Sequence, residues 1–303
     1  MLPKGTSLYV RRIGKRHGTP KQFAKKCKDH GLSWIALGGV WQERRHSGNV
    51  TSLYMNRPDV IARYGQALEA AGVEVSIWGY PWIDHEEKFV EQMMRAAVEL
   101  PHQRILLDPE LGSNPARKSK GPEKARANKH ARKLVTLFDE HPDAPEWLGL
   151  STFGNGWRIG WFPMHAFTKA LVECYGGNTF IGGQTYTDNA VIDRSIGDMR
   201  KAIEKSGGIV QLPSEKPKSA GCAIVPNFGT YTWTKDGKRG RRRKGAKAVS
   251  KTQDELRMHL YEFVNEGEPI EAMIGWAENF VRKAQWNVLA EFADMLERGA
   301  CVL

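Results

Sequence analysis

The chain has 303 residues, 41% of them hydrophobic, a usual length for one α/β barrel and enough to bury a sizeable core. Its formal charge of +11 favours anionic partners such as nucleic acid or an acidic cell-wall polymer. Cys27, Cys174, Cys222 and Cys301 are far apart with no CxxC pair, which argues against a disulfide framework or a zinc knuckle.

The predicted elements alternate. SLYVRRI (7–13) reads as a strand. The helix at 19–31 has Thr19 as N-cap, Pro20 in its first position and Gly31 as its stop. Strands follow at 32–41, 73–82, 104–110 and 147–154. Helices separate them at 57–72, 84–101 and 121–142. The second half continues with helices at 164–177, 190–208, 250–267 and 283–299. Its strands are 178–186, 221–233 and 271–280. Most strands are apolar on both faces, as in a parallel sheet covered by helices.

Eight strands and eight helices in this order predict a single (β/α)8 TIM barrel, class α/β, over 1–303. No glycine-rich phosphate fingerprint follows the first strand, which disfavours a doubly wound dinucleotide-binding sheet. The stretch 235–251, KDGKRGRRRKGAKAVSK, carries nine Lys/Arg against one Asp. It is expected to be an extended basic loop inserted between the seventh strand and the seventh helix. Arg239, Arg241, Arg242, Arg243 and Lys244 are its candidate contacts to an anionic polymer.

A barrel of this kind places its site at the C-terminal ends of the strands. The fourth strand ends RILLDPE. Alternation points Leu106 into the barrel, with Asp108 above it and Glu110 nearest the mouth. Pro109 cannot donate a ladder hydrogen bond, so pairing should stop there. Two acids on one face repel and raise one pKa, which suits general acid catalysis. Around them the strand ends offer Tyr80 and Trp82, Gln184 and Tyr186, Asn227, and Trp276 with Glu278. Aromatic faces stack on sugar rings, and amides read hydroxyl and acetamide groups. Trp78 and Trp276 are expected to lie deeper, as barrel layers.

The segments LLDPE (Asp108, Glu110), GGQTY (Tyr186) and IGWAE (Trp276) together resemble the family 18 and family 25 glycoside hydrolases. These are barrel enzymes that cut β-1,4 bonds in chitin or peptidoglycan. The earlier acids of the family 18 run are Arg104 and Leu106 here, and Arg11 and Arg12 stand where family 25 carries an acid at the end of strand one. The resemblance implies that Glu110 protonates the leaving oxygen while Asp108 orients the substrate's own acetamido group. It also implies that Tyr186 helps hold that acetamide, with Glu278 a second candidate acid or base. The expected partner is a polysaccharide, most simply peptidoglycan, with no metal and no cofactor.

Two other readings stay open. One is a metal-dependent hydrolase using Asp108, Glu110 and Glu278, although no histidine is expected at an inward strand end. The other is a non-catalytic barrel, such as a phage-particle component, that binds an anionic polymer or nucleic acid through the basic loop. The N-terminus lacks a signal-peptide core, and no apolar run approaches the ~20 residues that span a bilayer. Cytoplasmic synthesis is therefore expected, followed by release on lysis or carriage in a phage particle.

Overall fold

Strands buried on both faces need helices outside and side chains inside, and the chain meets both needs by closing its sheet on itself. The computed structural model describes residues 2–44, 49–109, 122–153, 159–160, 162–185, 192–235, 238–240, 247–265, 270–276 and 281–297, with the backbone alone at 44, 122–123, 193, 233–235, 238–240, 263–265 and 297.

The wall begins with β1 (Gly5–Val10) and β2 (Leu32–Arg44). A short strand, β3 (Val50–Tyr54), pairs antiparallel with the end of β2 and was not expected. Next come β4 (Glu74–Tyr80), β5 (Arg104–Leu107), β6 (Trp147–Phe153) and β7 (Thr179–Thr185). The seventh barrel strand is in two pieces, β9 (Gly221–Ile224) and β10 (Asn227–Gly229). The break falls at Pro226, which has no N–H for the ladder. A short β8 (Ile209–Gln211) flanks β9. The last wall strand, β14 (Ala272–Trp276), pairs in parallel with both β10 and β1 and closes the ring.

Eight helices cover the wall: α1 (Pro20–Asp29), α2 (Pro58–Ala70), α3 (Glu86–Ala97), α4 (Pro122–Asp139), α5 (Met164–Tyr175), α6 (Ile192–Lys205), α7 (Gln253–Asn265) and α8 (Lys283–Glu297). The predicted N-cap of α1 is present: Thr19 Oγ1 accepts from Gln22 N at 3.3 Å, and Thr19 N donates to Gln22 Oε1 at 2.8 Å. Gly31 follows with φ +68, a conformation that disfavours any side chain.

The stretch 235–251 differs from the expected loop. β11 (Tyr231–Lys235) pairs antiparallel with β12 (Lys238–Gly240) and with β13 (Lys247–Ser250), making a small separate sheet. Alternating Thr, Tyr and Val residues at 230–235 and 247–250 suit paired strands, and the charge run hides that signal.

Two apolar cores result. One fills the shell between wall and helices, with Leu8, Ile35, Ile77, Ile105, Leu150 and Ile181 among its members. The other fills the lumen. In one layer Trp34, Trp147 and Phe180 meet at ring distances of 5.2 to 6.2 Å. Gly149 makes room for it, because a Cβ there would lie 2.3 Å from the Phe180 ring. Nearer the C-terminal mouth, Tyr9, Trp78 and Trp276 form a second aromatic layer. At the opposite end, buried Arg104 reaches Glu69 at 3.0 Å, Glu146 at 3.6 Å and Glu74 at 3.7 Å.

Candidate active site at the barrel mouth

Asp108 is the first residue past β5. Its N–H donates to Gly79 O at 2.9 Å, the last ladder bond before Pro109. Its side chain shares the lumen face with Leu106, which packs in the inner aromatic cluster, as alternation predicts. The residue is 4% exposed. Such burial is costly unless donors satisfy the charge. One donor comes from two strands away: Gln184 Nε2, near the end of β7, lies 3.1 Å from Asp108 Oδ1.

Asn227 sits directly opposite Gln184 in the β7–β10 register and is 1% exposed. Its Nδ2 donates to Ser151 Oγ on β6 at 3.0 Å, and its backbone carbonyl accepts from Thr185 Oγ1 at 2.9 Å. Strands β5, β6, β7 and β10 therefore carry a polar belt of Asp108, Ser151, Gln184 and Asn227 at the mouth end. Within it the Asn227 amide donor is engaged inside the barrel.

The aromatic residues divide by depth. Trp78 is fully buried, and its ring is 5.1 Å from that of half-buried Trp276 and 5.5 Å from Tyr9. Trp276 is 4.9 Å from Tyr9. Tyr80 is buried and stacks on Trp41 at 4.3 Å with planes 20° apart. The Arg11 guanidinium covers Trp41 at 4.6 Å from the ring centre. Trp82 is half-buried on the loop after β4, where its backbone N–H donates to Gln42 Oε1 at 2.8 Å. Fully buried Gln42 also donates to Ser52 and to the His85 carbonyl, so it clamps this rim in place of facing a ligand.

Glu86, at the start of α3, was not singled out from the sequence. It is 2% exposed and lies 2.6 Å from His130 Nδ1 on α4, with Lys133 at 3.5 Å. Burial alone would raise its pKa. The His130 hydrogen bond and charge, with Lys133, leave it below the ordinary value. Its Oε1 also accepts from Asp84 N at 2.9 Å, in a turn where Asp84 has φ +65 and pairs with Arg126. This buttress fixes the loop that carries Trp82. Only an acid and a histidine 44 residues apart mark it in the sequence.

Glu110, Tyr186, Glu278, Arg241, Arg242, Arg243 and Lys244 lie outside the described residues. Arg239 lies on β12, paired with Thr234. Among the described residues no group of three or more His, Cys, Asp or Glu side chains is placed to hold a metal ion. No described helix is long and apolar enough to cross a membrane.

No protein-family model matches the chain, and no characterised protein sequence does. Its likenesses are structural. The endo-1,4-beta-mannanase from Rhizomucor miehei superposes with a TM-score of 0.58 at 10% identity, over 98% of this chain and 95% of that one. The Bacillus cereus spore cortex-lytic enzyme SleL gives 0.51 at 12%, over 96% and 75%. The xylanase–α-amylase inhibitor protein XAIP-I, in complex with trehalose, gives 0.50 at 8%, over 97% and 98%. The chain thus has the (β/α)8 barrel expected from its resemblance to glycoside hydrolases, and at these identities the likeness is one of fold.

Proposed function

We propose that this chain is a glycoside hydrolase acting on an N-acetylated polysaccharide, with peptidoglycan as its substrate. The observation that carries the reading is the Asp108–Gln184 pair. It is a buried, hydrogen-bonded carboxylate at the C-terminal mouth of a closed barrel, above an aromatic floor and beside further amides. Similarity in shape to a mannanase and to a spore cortex-lytic enzyme agrees with it.

In this reading Glu110 protonates the glycosidic oxygen. Asp108 stays ionised and orients the substrate's 2-acetamido group, whose carbonyl oxygen attacks the anomeric carbon as the leaving sugar departs. Water then opens the cyclic intermediate, with Glu110 taking its proton. The same reading has Tyr186 help hold the acetamide, Gln184 bind substrate, and Glu278 serve as a second acid or base. Tyr80, Trp82, Asn227 and Trp276 belong to the same mouth. The charge of +11 would draw the protein to an anionic wall, after release by lysis or carriage in a phage particle.

The test is product release from purified peptidoglycan and from chitin by the wild type and by Glu110→Gln, read by mass spectrometry. A loss of ~100-fold or more in the variant is expected on the usual scale of general acid catalysis. No release from either polymer by the wild type would overturn the reading.

A second reading has its own observation: a barrel of this shape also serves as an inhibitor protein, XAIP-I. In that reading the barrel is non-catalytic and holds an anionic polymer through the basic stretch 235–251, whose candidate contacts are Arg239, Arg241, Arg242, Arg243 and Lys244. Binding to teichoic acid or nucleic acid that falls steeply with salt, without glycan cleavage, would favour it.

A further inference from the structure

The first 28 residues contain no Asp or Glu, and the loop after β1 reads RRIGKRHG. Arg11, Arg12, Lys15 and Arg16 on it are all exposed. Such a run is ordinarily a solvated loop. Arg11 is different, because the fold holds it in one place.

Three devices hold it. The buried Asn56 side chain accepts from Ile13 N at 2.7 Å and donates to Arg11 O at 3.2 Å and Gly38 O at 2.8 Å. Gly38 lets the loop come close, since a Cβ there would lie 2.3 Å from Arg11 O. Trp41, already stacked on Tyr80, also lies under the guanidinium. The result is one contiguous cluster of Arg11, Trp41 and Tyr80 at the mouth ends of β1, β2 and β4.

With its ring engaged by Tyr80 and Arg11, Trp41 acts as a support for the guanidinium. A guanidinium held over an aromatic ring keeps its N–H donors for an oxyanion in a two-pronged contact, and Arg11 is exposed to receive one. Among the described residues no carboxylate pairs with Arg11. The stack leads to the proposed catalytic strand: Tyr80 adjoins Gly79, whose carbonyl receives the Asp108 N–H. Arg11 is three strands from Asp108 along the wall, each step ~4.8 Å. That separation suits a sugar in the same bound chain but not at the bond being cut.

We propose that Arg11, held by Asn56 and stacked on Trp41, forms a subsite for the carboxylate of an acidic sugar unit and sets the preference for carboxylate-bearing over neutral glycans. The proposal rests on the glycan-binding part of the reading above and needs no particular catalytic acid.

The test is calorimetric binding, with cleavage assayed separately so that either idea can fail alone. The probes are a β-1,4 strand of alternating N-acetylglucosamine and N-acetylmuramic acid, the same strand with its carboxyls reduced to alcohols, and a uronic-acid oligomer. The wild type should bind the carboxylated strand ~10- to 100-fold more tightly than the reduced one, the scale of one hydrogen-bonded charge. Arg11→Gln should abolish the difference by weakening only the acidic ligand. Arg11→Lys should restore part of it, as a point charge without the fork. Comparing the two acidic probes tells an ether-linked from a ring carboxylate, and preference for either over the reduced strand supports the subsite. Equal affinity of the wild type for the carboxylated and reduced strands overturns the proposal, with uronate binding no better. A preference that survives Arg11→Gln, or a variant that weakens all ligands equally, also overturns it. Thermal melting of each variant checks that the exposed position leaves the fold intact.

Discussion

Gln184 Nε2 reaches across β6 to within 3.1 Å of Asp108 Oδ1, tying the sixth barrel strand to the fourth inside the lumen. A hydrogen bond to a buried charged group contributes about 1.5–3 kcal/mol. Gln184→Leu should therefore lower the unfolding free energy by that order, with Asp108→Asn, which keeps an acceptor, costing less. Gln184→Glu should cost more at neutral pH, because it sets two carboxylates side by side, and should recover as one is protonated. Urea unfolding of the three variants checks the order.

Arg104 faces three carboxylates at the far end of the barrel. Arg104→Met should destabilise by about 3 kcal/mol, the low end for a broken buried pair, since two of the acids are about two-fifths exposed and screened. Burial holds the Glu74 carboxyl above its ordinary value, and Arg104 pulls it back. Without the arginine it rises further, so protonation relieves the variant earlier. The deficit should shrink as pH falls and Glu74 takes up its proton, in a pH series of melts.

Gly149 is where the lumen has no spare room. Gly149→Ala should cost about 1–3 kcal/mol by overpacking. Combining it with Phe180→Leu should cost less than the separate losses together, because the smaller side chain vacates the clashing volume. A double-mutant cycle by urea unfolding measures this, and strict additivity would contradict the layer described.

Lys251 is buried just before α7, its backbone N–H donating to Thr230 O at 3.1 Å. Burial lowers its pKa from 10.5 to about 7, against Glu255 and Glu262, which raise it. Between those values the unfolded chain holds a proton that the folded chain has released. Stability should therefore rise with pH across that window, and the penalty is full below about 7. Lys251→Met should stabilise the protein most near pH 6, with the gain shrinking toward pH 10, read from unfolding midpoints.

Local pattern made several features readable. Thr19, Pro20 and Gly31 mark a helix through their own backbone preferences. The alternation of Leu106 and Asp108 needs only the pleat of one strand, and Pro109 stops the ladder because it lacks a donor. Pro226 was equally visible as the break in the seventh strand, but the apolar run around it reads as continuous. The strands within 235–251 were hidden because a charge run resembles a solvated loop until its pairing partner is known.

The sequence by itself determined the alternation of strands and helices, the closure of the sheet that such a count favours, and the acid at the end of the fourth strand. These depend on periods of two and 3.6 residues and on backbone chemistry within a few positions. Only the tertiary structure decided that Asp108 meets Gln184, that Asn227 turns to Ser151, and that Arg11 lies over Trp41. Those partners are 30 to 76 residues apart. What joins them is strand register around a closed barrel, where a shift of one residue would turn each side chain to the other face.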